Sequence, residues 1–126
     1  MVAVEIVSFG YLHGEPPAAH LTADLRQHFR DPHVSPELRY MTAADRPVRE
    51  AVLNTPGIQA LIAAAVAAVV AFAAGPSAGQ VTVAAGCAGG RHRAPTFAGA
   101  LADRLSAAGH AATVNHRDMA KGVVQR

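Results

Sequence analysis

Runs of apolar residues that end at polar or turn-forming positions predict three strands. Residues 2–9 are rich in β-branched side chains and end before Gly10, which is typical of a strand. Residues 80–85 form a short apolar run that leads into a cluster of glycines. Residues 111–116 predict a last strand.

Three further segments predict helices between these strands. Asp45, followed by a proline in the first turn, marks the start of a helix over residues 47–54. A longer helix follows over residues 55–74, and a third over residues 95–108 is closed by Gly109. Strands alternating with helices predict the α/β class, as a compact three-layer domain with a small, largely parallel sheet.

Proline and glycine clusters predict the connections. Residues 11–19 form a loop, residues 30–39 are irregular, and residues 75–79 break the chain after the long helix. Residues 21–29 are ambiguous, because their propensities permit a helix while an extended segment is equally consistent with the pattern. The residues from about 120 to 126 are expected to form a flexible tail.

The composition predicts one domain over residues 1–126. Hydrophobic residues make up 51% of the chain and aromatic residues 5%, so alanine, valine, leucine and isoleucine must form the core. A net charge of +2 permits an anionic partner without demanding nucleic acid. The single cysteine excludes an internal disulfide and favours a cytoplasmic location.

Neither a targeting segment nor membrane contact is expected. Glu5 interrupts the first apolar run, and no basic region precedes it. Residues 58–74 are apolar but short of the ~20 residues that a spanning helix needs, and most are alanine. We expect this segment to pack on the sheet or at a subunit contact.

The glycine-rich turn at residues 86–93 carries the clearest chemical signal. It follows a predicted strand and precedes a predicted helix, so its backbone N–H groups and the helix dipole favour an anion. Arg91, His92 and Arg93 add cationic groups, and guanidinium suits phosphate geometry. The turn therefore predicts a phosphate or carboxylate pocket at the end of a strand.

The same turn permits an enzymatic alternative. Cys87, Gly90 and Arg93 have the C-x-x-G-x-x-R spacing of cysteine-dependent phosphatases, in which a thiolate attacks phosphorus. Gly86 and Ala94 replace the histidine and the Ser or Thr usual in those enzymes. The carboxyl groups available as the acid are Asp24, Asp31, Asp45 and Asp118. We favour a structural Cys87, a small buried residue at a strand end.

Charged and imidazole groups elsewhere provide candidate rim residues. His33 is either a proton-sensitive contact to the anion or an exposed loop histidine. Asp24 and Arg26 either brace the pocket by pairing with Arg39 or Asp45, or form a solvated charge cluster. The seven histidines include no short-spaced ligand pair, so no metal site and no cofactor are expected.

Several motifs of the chain occur together, in the same order, in a known family. The turn reads Gly-Cys-Ala-Gly-Gly-Arg-His-Arg, where that family has Gly-Cys-Thr-Gly-Gly-Lys/Arg-His-Arg-Ser. The other matching segments are Ser8-Phe9-Gly10-Tyr11, Asp24-Leu25-Arg26, Asp31-Pro32-His33, the run Thr42, Asp45, Pro47 and Val48, and His116-Arg117-Asp118. Over nearly its whole length, the chain resembles the C-terminal domain of the RapZ family of RNase adapter proteins.

That resemblance implies a domain related to phosphofructokinase-like sugar-phosphate enzymes but used for binding. Family members sense glucosamine-6-phosphate, bind a small RNA and self-associate. We therefore expect a regulatory, non-enzymatic sugar-phosphate sensor that acts through RNA or a protein partner, as a homodimer. The resemblance places the ligand at His33, Cys87, Ala88, Gly89, Gly90, Arg91, His92 and Arg93, and its rim at Asp24, Arg26, Arg39 and His116.

The chain departs from the family pattern at several points. It corresponds to the C-terminal domain without the nucleotide-binding N-terminal domain, so hydrolysis of ATP or GTP is not expected. Ala88 and Ala94 remove two hydroxyl donors from the turn, which leaves the identity of the sugar open. The basic tail is reduced to Lys121 and Arg126, although phosphate contacts dominate RNA affinity. RNA-binding regulator and phosphatase remain the two alternatives.

Overall fold

A four-stranded, all-parallel sheet forms the centre of the protein. The computed structural model describes residues 2–77 and 79–126, so Met1 and Ala78 lie outside it, the latter within the predicted break at residues 75–79. The strands are β1 (Ala3–Gly10), β2 (Leu21–Asp24), β3 (Val81–Cys87) and β4 (Ala111–His116). Their order in the sheet is β2-β3-β1-β4, and all neighbours are parallel.

Three helices connect the strands where the sequence predicts them. They are α1 (Arg46–Leu53), α2 (Ile58–Ala73) and α3 (Arg93–Ala107). Helix α3 begins two residues before the predicted start at Pro95, because a proline is tolerated in the first helical turn. Helix α2 begins after Gly57, whose φ of 91° marks the turn between the two helices, rather than at Thr55.

Strand β3 extends further than the sequence predicts. Gly86 and Cys87, expected in the turn, pair with Phe9 and Gly10 of β1. A Cβ at Gly86 would lie 2.4 Å from the Phe9 ring, so glycine is needed here for packing against an aromatic side chain rather than for a turn. The ambiguous segment at residues 21–29 begins as the short strand β2, which pairs with β3 up to Asp24, so the helical alternative is wrong.

The core lies between the sheet and the helices. Phe97, Leu101 and Leu105 recur on one face of α3 and are fully buried with strand residues such as Ile6 and Val83. The predicted α/β class and parallel sheet are confirmed, and the arrangement is consistent with the expected three-layer domain. All four strands point their carboxyl ends towards the same edge, where the glycine-rich turn follows β3.

Candidate functional site

The glycine-rich turn packs directly on the end of β1. A Cβ at Gly10 would lie 2.4 Å from the carbonyl carbon of Gly89, and one at Gly90 would lie 2.7 Å from the backbone nitrogen of Gly10. Gly90 also has a φ of 77°, which side-chain-bearing residues rarely adopt. The two glycines therefore let the backbones of the two loops touch, and this contact fixes the path of the turn.

Five consecutive backbone N–H groups of the turn have no acceptor among the residues that the structure describes. Among the described residues, no hydrogen bond is donated by the amides of residues 89–93. Helix α3 begins at Arg93, so the last of these amides is also one of the unsatisfied donors of the helix N-terminus. Free amides at a helix N-terminus, where the helix dipole is positive, are typical of anion-binding sites.

Arg93 provides a buried cation next to these amides. Arg93 is only 2% exposed. One of its guanidinium nitrogens donates to the Arg26 carbonyl at 3.0 Å, and another lies 3.3 Å from the Asp31 carboxylate. Its Nε is buried without a hydrogen-bond partner among the described residues. Burial alone would raise the pKa of Asp31, but the His33 N–H bond and the Arg93 and Arg126 charges outweigh it and lower that pKa.

Arg91 and His92 hold neighbouring segments against the turn. The Arg91 guanidinium donates to the Lys121 carbonyl at 2.5 Å and to the Tyr40 carbonyl at 2.8 Å. The His92 Nε2 lies 2.8 Å from the Met41 carbonyl, to which it must donate, because a carbonyl only accepts. Burial lowers the pKa of His92 and favours the neutral ring. Both side chains are therefore engaged in loop contacts in this structure.

The C-terminal segment covers the cleft beside the turn. Val123, Val124 and Arg126 line it together with His33 and residues of the turn, and Arg126 pairs with Asp31 at 2.7 Å. The cleft has a volume of about 10 Å³, which is room for roughly one water molecule. A larger ligand therefore requires the segment at residues 123–126 to move.

Cys87 lies at the end of β3 and belongs to the core. It is 3% exposed, and its Sγ accepts a hydrogen bond from the Ala94 N–H at 3.3 Å. The thiol thus caps the start of α3 from within the protein. This burial favours the structural interpretation of Cys87 over a nucleophile that must reach a phosphate ester.

The structure distributes the predicted rim residues differently. Asp24 and Arg26 pair with each other at 2.7 Å, and the Arg26 guanidinium lies 3.6 Å from the centre of the Tyr11 ring. The hydrogen bond from Arg26 is the main cause that lowers the pKa of Asp24. The expected pairing with Arg39 or Asp45 is wrong: Arg39 donates to the His33 carbonyl at 2.8 Å, and the Asp45 carboxylate accepts from the Thr42 N–H.

His116 lies apart from the cleft. Its Nδ1 is 2.7 Å from the Ser8 hydroxyl, and the ring borders a different cavity beside α3. Burial lowers the pKa of His116. Of the predicted ligand residues, the structure brings together His33, Cys87, Gly89, Arg91, His92 and Arg93 around one cleft, while Ala88 and Gly90 belong to the same turn.

Asp118 is a central residue at the strand ends, which the sequence marks only as an available acid and as part of the His116-Arg117-Asp118 segment that matches the family. It is fully buried, accepts from the Gly10 N–H at 2.8 Å, and pairs with Arg117 at 2.9 Å and Lys121 at 2.7 Å. Burial alone would raise its pKa, but these partners outweigh burial and lower the pKa of Asp118 to about 2. The sequence feature that indicates Asp118 is its position just after the last strand, as an acidic residue with Arg117 before it and Lys121 after it.

Neither a metal-binding cluster nor a single membrane-spanning helix is found in residues 2–77 and 79–126. Within them, no three His, Cys, Asp or Glu side chains are grouped so as to hold a metal ion. No single helix there is long and apolar enough to cross a membrane; only α1 and α2 taken together meet the length and composition criteria, and they are bent by 84°.

Comparison with known proteins agrees with the motifs of the turn. The family model described as the RapZ C-terminal domain matches residues 2–120. A nucleotide-binding protein of Bifidobacterium adolescentis is 38% identical over 123 residues, or 95% of this chain and 39% of that protein. One of Streptomyces coelicolor is 39% identical over 119 residues, or 92% of this chain and 40% of that protein. The chain thus spans about two fifths of these relatives, and it belongs to the RapZ C-terminal domain family.

Proposed function

We propose that the turn at residues 86–93 binds a small anion, a sugar phosphate or a carboxylate, in a non-enzymatic regulatory domain that acts through a macromolecular partner. The observation that carries the proposal is the run of five amides that find no acceptor in residues 2–77 and 79–126, beside the buried Arg93 guanidinium. An oxyanion accepts several hydrogen bonds at once, and it satisfies donors that are otherwise costly to leave unpaired.

The charge balance of the cleft supports an anion. Arg93 and Arg126 share one carboxylate, that of Asp31, so two cationic groups face one anionic group. An incoming phosphate offers Arg126 a second partner and competes with Asp31 for it. Binding and movement of the C-terminal segment are therefore expected to be coupled: residues 123–126 shift to make room, and Arg126 exchanges the Asp31 carboxylate for the bound anion.

A matched pair of variants at Gly89 tests the site without disturbing the fold. A Cβ at Gly89 meets no heavy atom within 4 Å, so both Gly89→Asp and Gly89→Asn are expected to fold. The aspartate places a negative charge among the free amides, whereas the asparagine has the same size without the charge. Anion binding should therefore be lost in the first variant and retained, in weakened form, in the second.

The measurement is thermal unfolding of the wild type and both variants with phosphate, sulfate, citrate and glucosamine-6-phosphate. A ligand at ten times its Kd stabilises the folded state by about 1.4 kcal/mol, which is roughly 5 °C for a chain of this length. Absence of any shift in the wild type would refute the proposal. A shift that persists in Gly89→Asp would place the anion elsewhere in the protein.

The same assay distinguishes binding from phosphatase chemistry. Because the Cys87 thiol is buried and accepts from the Ala94 N–H, we expect Cys87→Ser to retain the anion response. We also expect no turnover of an aryl phosphate by the wild type. Turnover that disappears in Cys87→Ser would instead establish the enzymatic alternative.

A further inference from the structure

A second cavity lies beside α3 and shares no lining residue with the cleft at the glycine turn. Its volume is about 320 Å³, and it is bounded by α3, by Leu53 at the end of α1, and by His116 at the end of β4. This volume corresponds to about ten water molecules at ~30 Å³ each, which is enough room for a ligand of about five to ten heavy atoms.

Small side chains on one face of α3 create this cavity. One face of α3 lines the cavity with residues at helical spacing, namely Thr96, Gly99, Ala100 and Asp103. A Cβ added at Gly99 would meet no heavy atom within 4 Å, so the space in front of this glycine is open. The helix thus leaves room at a point where a larger residue would fit without strain.

His116 provides a polar group on the wall of the cavity. Its Nδ1 is hydrogen-bonded to the Ser8 hydroxyl, which leaves Nε2 available. The Thr96 hydroxyl does not add a second polar group, because its oxygen is buried away from the cavity surface, although it makes no hydrogen bond to any described residue.

Two opposite charges border the same cavity. The Arg49 guanidinium is held by the carbonyls of Ala43 and Ala44 at 2.9 and 2.7 Å, both through the same nitrogen, so its other nitrogens remain available. Asp103 makes no ion pair with any residue that the structure describes. The cavity therefore offers a fixed cation and an unpaired carboxylate, with apolar contact from Leu53 and Met119.

We propose that this cavity binds a small zwitterion of amino-acid size. The ligand's carboxylate lies on Arg49 and its ammonium group on Asp103. The His116 Nε2 completes its polar contacts, and Leu53 and Met119 contact its side chain. A singly charged molecule satisfies only one of the two charged walls, so both ligand charges contribute to affinity.

The experiment is ligand-observed NMR on the full 126-residue chain with free leucine, threonine and glutamine. The N-acetyl and amide derivatives of the same amino acids each lack one charge and serve as matched probes. We expect at least one free amino acid to bind saturably and both of its derivatives to bind at least tenfold more weakly. No saturable binding by a free amino acid, or equal binding by a derivative, would overturn the proposal.

Two variants locate the binding. Gly99→Leu fills the cavity and should abolish amino-acid binding, with Gly99→Ala as the smaller change at the same position. Asp103→Asn removes the carboxylate proposed to contact the ligand's ammonium group and should weaken binding about tenfold while the melting temperature stays nearly the same. Unchanged binding in Gly99→Leu would refute the site, and so would unchanged binding in Asp103→Asn if Gly99→Leu fails to fold. Because Gly99→Leu leaves the glycine turn intact, its response to phosphate tests the proposed function separately.

Discussion

The buried carboxylate of Asp118 holds together two basic side chains and the Gly10 N–H at the strand ends, and Asp118→Asn tests its contribution. The pKa of Asp118 is lowered from its ordinary value of 3.8 to about 2, because Arg117, Lys121 and the Gly10 N–H together outweigh the effect of burial. At about 1.36 kcal/mol per pKa unit, this difference corresponds to about 2.4 kcal/mol of stability near neutral pH. The asparagine variant should lose roughly that amount.

The dependence on pH gives the sharper test. Because the folded-state pKa is below the unfolded one, the stabilisation is complete well above pH 3.8 and is lost as pH falls through about 2. The difference in unfolding free energy between wild type and Asp118→Asn should fall from about 2.4 kcal/mol at pH 6 to about 1.3 kcal/mol at pH 3. Urea denaturation followed by circular dichroism at both pH values measures it.

A control separates this effect from general acid destabilisation. Asp103→Asn removes an exposed carboxylate that has no ion pair among the described residues, so its effect on stability should be small. A difference for Asp118→Asn that stays constant between pH 6 and pH 3, or that is below about 0.5 kcal/mol at pH 6, would contradict the role assigned to this carboxylate.

The remaining predictions concern the turn and the core. Gly90→Ala should be destabilising by at least ~1–3 kcal/mol in urea denaturation, because it strains a positive φ and clashes with Gly10, whereas Gly89→Ala should be nearly neutral. Leu101→Ala should cost ~2–5 kcal/mol in the same assay, since the side chain is fully buried; a cost below ~1 kcal/mol would contradict the core assignment. Asp31→Asn should lower the free energy of unfolding by on the order of 3 kcal/mol at pH 7, because it leaves the buried Arg93 charge without its carboxylate partner. Melting temperatures of wild type and variant, measured over a pH series, should converge below about pH 4 as Asp31 is protonated.

Much of the fold was predictable because each element has a local signal. The strand at residues 111–116 has the predicted bounds, and the three helices lie within about three residues of their predicted ends. The sequence pattern could not distinguish the short strand β2 from a helix, because its four residues are held extended by pairing with β3. Gly86 and Cys87 were expected in the turn but belong to β3, because pairing with β1 keeps both residues extended.

The candidate site was predictable as a segment but not as a geometry. The glycines and basic residues of the turn identified the segment from sequence. The contacts that each side chain makes, however, depend on partners far away in the sequence. Arg93 meets Asp31 sixty-two positions earlier, and Asp118 accepts from the backbone of Gly10. His116, which follows the family motif, lies at another cavity because its strand is at the opposite side of β1 from β3.

The contact between Gly10 and Gly90 restricts how the sequence can vary over time. Each glycine lacks space for a Cβ because the other loop's backbone occupies it, so changing one does not relieve the requirement at the other. No single substitution at either position gives an intermediate that packs as well, and a double substitution enlarges the clash. The two positions, eighty residues apart, must therefore both remain glycine for the loops after β1 and β3 to keep this contact.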